Sequence, residues 1–210
     1  MRVLMVSHRY PPAHTAGAEL YAARLAGELA RRGHAVHVLA AEKDVSRPDL
    51  SLSERQHEGV AVIELVNNLY HTGFRQTWER GEIDQRFAEV LERTRPDVVH
   101  FQHLMYLSIG CVEQASRAGL AVLFTLHDFW LQCPRFGQRL HPDGTICDSI
   151  DFERCGGCLT SFKHAQGAAQ RGVGRALSTL RSATGVDLSG AARGVDRLLR
   201  RRGGPDGAAP

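Results

Sequence analysis

Apolar residues along this chain recur in two alternating patterns. RVLMVS (2–7), AVHVLAA (35–41), GVAVIELV (59–66), DVVHFQH (97–103) and LAVLFTLH (120–127) are short apolar runs bounded by polar or turn-forming residues. Each predicts a buried strand. Between the first two, Ala18, Tyr21, Ala22, Leu25, Ala26 and Leu29 share one helical face, with Gly33 placed to end the helix. Ile83, Phe87, Val90 and Leu91 mark a second helix that must stop by Pro96, and a third is expected around 108–118. Residues 42–58 are charged, contain Pro48 and are expected to be loop. Apolar strands alternating with helices predict an α/β, Rossmann-like parallel sheet with helices on both faces.

The alternation fades near residue 165, which divides a domain at 1–165 from an Arg-rich tail at 166–210. Two helical stretches are expected in that tail, at 173–183 and 188–202, before a disordered GGPDGAAP end. With 43% hydrophobic residues, 210 residues suit one core better than two. Two Lys and 24 Arg against 23 acidic residues leave a net charge of +3, which is no nucleic-acid footprint. The late run Arg193, Arg197, Arg200, Arg201 and Arg202 would suit phosphate or peripheral contact with an anionic membrane, and reads first as a solvated tail. No apolar run reaches the roughly 18 residues of a membrane span. The N-terminal apolar stretch is too short for a signal-peptide core, so a cytoplasmic location is expected. In that reducing compartment five cysteines argue for metal or free thiols before disulfides.

Open sheets of this class bind ligands at the carboxyl ends of their strands. Two unusual stretches fall there. PPAHTAGAEL (11–20) joins the first strand to the first helix, where Gly17 lets backbone approach a ligand and free N–H groups suit a phosphate. A tight loop needing one glycine is an equal reading. The stretch is not a G-x-G-x-x-G fingerprint, which disfavours a nicotinamide dehydrogenase. His127 and Asp128 follow the last strand, where a His is poised to hydrogen-bond a polar ligand. The alternative is a locally satisfied His beside an Asp that caps a turn. His100 and His103 end the preceding strand and are candidates to line the same crevice, although each reads first as a strand-end polar residue.

Cys133, Cys147, Cys155 and Cys158 have the spacing C-x13-C-x7-C-x2-C. Four thiolates complete a closed tetrahedral zinc site, which would be a structural staple for the loop after His127. Free thiols and a redox or disulfide pair are the alternatives. Cys111 sits in an apolar helix and is expected to be packing.

The stretches MRVLMVSHRYPPAHTAGAELYAARLAGELARRGHAVHVLA, RPDVVHFQH and TLHDFW together resemble the N-terminal domain of family 4 glycosyltransferases. The resemblance spans roughly residues 1 to 165. It implies one half of a GT-B fold, in which two Rossmann-like domains face each other across a cleft. Gly17 would lie near the diphosphate of a nucleotide-sugar donor, His127 near the donor sugar's hydroxyls, and Asp128 would be a polar partner in the cleft. Transfer would retain anomeric configuration without a catalytic metal. The family usually shows two glycines where this chain has Ala16 and Gly17. Nothing after residue 165 resembles the family's donor domain, so transfer to an acceptor is expected to need a donor domain that is either separate, as a partner chain, or missing, the chain then being a truncated product or a remnant. The rival expectation is a non-catalytic, zinc-stapled binding module on the same frame.

Overall fold

A computed structural model describes residues 1–160 and 167–185. It contains strands β1 (Arg2–Ser7), β2 (Ala35–Glu42), β3 (Leu52–His57), β4 (Val60–Val66), β5 (Val98–Phe101) and β6 (Ala121–Phe124). The helices are α1 (Gly17–Arg31), α2 (Gly81–Thr94), α3 (Gly110–Arg117), α4 (Phe152–Thr160) and α5 (Ala168–Thr184). One six-stranded sheet runs in the order β3-β4-β2-β1-β5-β6. All neighbours are parallel except β3 and β4.

The strand pleat explains why helices are needed on both faces. Leu4 and Val6 of β1 join Phe87, Phe101, Leu104 and Leu107 in a core under α2 and α3. Val3 and Met5, the alternate residues, pack with Ala22 and Ala26 of α1 on the opposite face. Two alanines at that contact let α1 lie close to the sheet. The expected Rossmann-like architecture is therefore the one observed.

The order of strands reverses at β1. The chain leaves β1 toward β2 on one side and returns through α2 to β5 on the other. The carboxyl ends of β1 and β5 thus flank the switch point, where such sheets open a crevice.

Two elements depart from the pattern reading. Part of the expected loop 42–58 is strand β3, antiparallel to β4 at the sheet edge. Its sequence LSERQH is polar because an edge strand is only partly covered. The turn between them, Glu58-Gly59, has φ of 48° and 81°, the two positive angles of a tight hairpin. The second departure is α4, whose FERCGGCLT carries two glycines in a row that argue against a helix. Of the tail expectations, α5 covers the stretch 173–183 and begins earlier, and its Arg181 donates to Ser46 Oγ at 3.0 Å. The stretch 188–202 and the late Arg run lie outside the described residues. Among the described residues no helix is long and apolar enough to cross a membrane.

Candidate functional site

Three strands end in the same way. Ser7 ends β1 and His8 follows it, Gln102-His103 follows β5, and His127-Asp128 lies just beyond β6. Parallel pairing in register brings these ends together at one edge of the sheet. The first turn of α1 adds Glu19 above His8.

His103 is buried and positions Asp128. The backbone N–H of Met105 donates to His103 Nδ1 at 2.9 Å, so in the neutral ring the proton sits on Nε2. That Nε2–H faces Asp128 Oδ2 at 3.0 Å. The other carboxylate oxygen accepts the backbone N–H of Trp130 at 2.7 Å. Asp128 keeps 37% of its side chain exposed, so a ligand can still reach it. His127 Nε2 lies 2.9 Å from the buried Gln102 Oε1, which leaves Nδ1 as the acceptor. Its ring also stands edge-on to Tyr21, with centroids 5.2 Å apart. Both expected residues, His127 and Asp128, therefore lie at the switch-point crevice.

The crevice floor is polar and under-satisfied. Ser7 Oγ, His8 Nδ1, Glu19 Oε2 and Gln102 Nε2 are buried without a hydrogen-bond partner. Each such group costs about 1–3 kcal/mol. Four of them around one crevice mark a polar site and not a sealed core. Glu19 is legible in the sequence only as a first-turn acid suited to the helix dipole, and Ser7, His8 and Gln102 are not singled out there. The usable signal was the recurrence of a polar pair at the end of each of three strands. His100 separates from this group, because its Nε2 meets Thr125 Oγ1 at 2.8 Å and is satisfied there.

Burial disfavours the protonated forms of His8 and His127. Burial, then the neighbouring His103 and Arg9, drive the His8 pKa from 6.5 down to about 3. His127 is lowered from 6.5 by burial and then by His103. The sign for stability follows from linkage. Between pH 6.5 and about 3 the unfolded chain binds a proton that native His8 refuses, so stability is full above 6.5 and falls as pH drops through that window. The slope from this one group is at most about 1.4 kcal/mol per pH unit. Urea midpoints at pH 7, 6 and 5 should therefore fall with acidification, and His8→Asn should flatten the decline. Parallel curves for the two proteins would remove His8 as the cause.

Gly17 is the first residue of α1, and Ala16 before it provides no side-chain cap. A side chain at Gly17 would meet nothing within 4 Å, so the fold itself does not demand glycine there.

The cysteine loop corrects one expectation. The four cysteines are drawn together from three local structures. Cys133 ends a turn, Cys147 sits on a short antiparallel pairing through Arg139, and Cys155 and Cys158 lie one turn apart on α4. All four line one small cavity with His141. They are free thiols, and among the described residues no group of three or more His, Cys, Asp or Glu is placed to hold a metal ion. The expected zinc site is not supported. The thiols instead have local partners: Cys158 Sγ is 3.3 Å from His141 Nδ1, and Cys147 Sγ donates to the Ser149 carbonyl at 3.2 Å. The Cys155 pKa is raised by burial and then by Cys147 and Cys158. Cys111 is fully buried packing, as expected.

The fold and crevice define a Rossmann-like domain with a His- and carboxylate-lined site at its switch point. The family model for glycosyltransferase family 4 matches residues 15–150, and the chain belongs to that family. It is 26% identical over 148 residues to an uncharacterized 42.6 kDa protein in the cps region of Klebsiella pneumoniae, covering 64% of this chain and 38% of that protein. Similar solved structures include a sucrose-phosphate synthase from Thermosynechococcus elongatus, at TM-score 0.45 and 18% identity, over 61% of this chain and 33% of that one. Another is described as trehalose-6-phosphate from E. coli bound with UDP-2-fluoro glucose, at TM-score 0.37 and 14% identity, with the same coverages of 61% and 33%. The chain thus spans well under half the length of these relatives.

Proposed function

We propose that this chain is the acceptor-side domain of a retaining, nucleotide-sugar-dependent glycosyltransferase of the GT-B type. The observation that carries the reading is the pair His127 and Asp128, each held by a buried partner at the switch point of a family 4 chain. Neutral His127 offers Nδ1 to a donor-sugar hydroxyl. Asp128 accepts a hydrogen bond from the attacking acceptor hydroxyl and orients it. The uncapped first turn of α1 at Gly17 lets the donor diphosphate approach backbone N–H groups. As the new C–O bond forms and the bond to the diphosphate breaks, a donor phosphate oxygen takes the acceptor proton. Helix N-termini and basic side chains stabilise the leaving group.

A nucleotide sugar also needs its base and ribose held, and a facing donor-binding domain supplies those contacts and excludes water on closure. The test is transfer from a panel of nucleotide sugars by this chain alone and with a family 4 donor-binding domain added or fused. Transfer is expected only with the second domain. Robust transfer by the chain alone, or none from any donor with the domain present, would overturn the reading.

A further inference from the structure

A cavity of about 560 Å³ opens beside the polar crevice. Phe74, Trp78, Trp130, Phe136 and Phe152 form its aromatic walls, and Leu131 stands at the end nearest the crevice. None of the described residues lining it is Asp, Glu, Lys, Arg or His. Cys133 and Cys155 contribute to the wall as well, and a free thiol packs as a small apolar group. The cysteine loop therefore builds this cavity, with or without any metal.

The cavity adjoins the site. Trp130 and Leu131 also line the small crevice that contains Gln102, His103, His127 and Asp128. The His103 and Trp130 rings meet edge-on with centroids 5.7 Å apart. A ligand filling both spaces must be apolar along its body and carry a polar group at one end. An apolar chain matches these walls better than a saccharide, most of whose hydroxyls would find no polar partner beyond Thr77 and Gln132 among the described lining residues. A charged lipid phosphate finds no basic side chain among the described lining residues. The volume lies within the range of small-molecule sites.

We propose that this cavity receives the apolar body of the acceptor, a hydrophobic alcohol whose hydroxyl reaches the His127–Asp128 end. The inference rests on the acceptor-side reading above and names the acceptor's class.

Both of the chain's two tryptophans line the cavity, so intrinsic emission reports on it directly. The probe is 10-bromodecan-1-ol, an apolar alcohol with a heavy-atom quencher. Saturable quenching is expected, with methyl glucoside at the same concentration inert. Leu131→Asp and Phe152→Asp place a charge at positions that are 59% and 87% exposed, so neither disturbs the core. Each should weaken probe binding at least about tenfold. Unsaturable quenching, equal competition by methyl glucoside, or unchanged binding in both variants would overturn the assignment. Probe binding without transfer in any donor combination would instead defeat the glycosyltransferase reading and leave an apolar-alcohol site. Transfer to sugars without probe binding would do the reverse.

Discussion

His127→Ala, assayed with a donor-binding domain present, should lower turnover by roughly 10–1000-fold, the loss of one or two hydrogen bonds that tighten in the transition state. The ring is half-exposed and grips the protein through Gln102 Oε1 and the edge contact with Tyr21. Removing it opens the space to solvent, which can hydrate the freed Gln102 oxygen. The unfolding midpoint should thus move by less than about 1 kcal/mol in equivalent stability. Wild-type activity has a further signature. The proposed role requires the neutral ring, whose pKa lies below 6.5, so turnover should be flat across neutral pH and fall on the acid side of 6.5. An unfolded variant whose surviving fraction is fully active would make His127 a packing residue.

The strands and helices of the sheet were legible because burial is written directly into periodicity. Leu4 and Val6 against Val3 and Met5 divide two cores by simple alternation. Strand β3 was not legible by that rule, since an edge strand buries little and its stability comes from the Glu58-Gly59 turn and from ladder bonds to β4. At the site, His127 and Asp128 could be placed from their position after a strand. Of their supports, His103 could be placed at the same crevice from its position after a strand, and Gln102 could not. Gln102 and His103 are distant in sequence, and their roles depend on which strand pairs with which. The cysteines show the opposite limit. Spacing brought the right four residues together around one cavity, but it could not tell a metal from hydrogen-bonded thiols. The C-x2-C glycines suggest a knuckle, and the chain forms a helix there.

Gly137→Ala should damage both stability and transfer, although residue 137 touches no ligand. Gly137 adopts φ of 73°, a conformation in which an added Cβ is strained. An added methyl would also lie 2.6 Å from the backbone nitrogen of Trp130 and 2.8 Å from Asp128 Oδ1. Those two atoms form the 2.7 Å hydrogen bond that fixes the Asp128 carboxylate. The methyl would wedge into this bond and swing the carboxylate away from His103. A shift of about 1 Å in a positioned group can cost about 100-fold in rate, and that is the expected loss in kcat with a donor-binding domain present. Gly144→Ala separates the two causes. Gly144 has φ of 86° but an added Cβ there meets nothing within 4 Å, so it carries the backbone strain without the wedge. Both variants should lose roughly 1–2 kcal/mol of stability from the backbone alone. Gly137→Ala should lose more than its control, and Gly144→Ala should keep near wild-type kcat. Equal kcat in the two variants would show that Asp128 is not held by this contact. A raised KM with unchanged kcat would move Asp128 from orienting the attacking hydroxyl to simple ground-state binding.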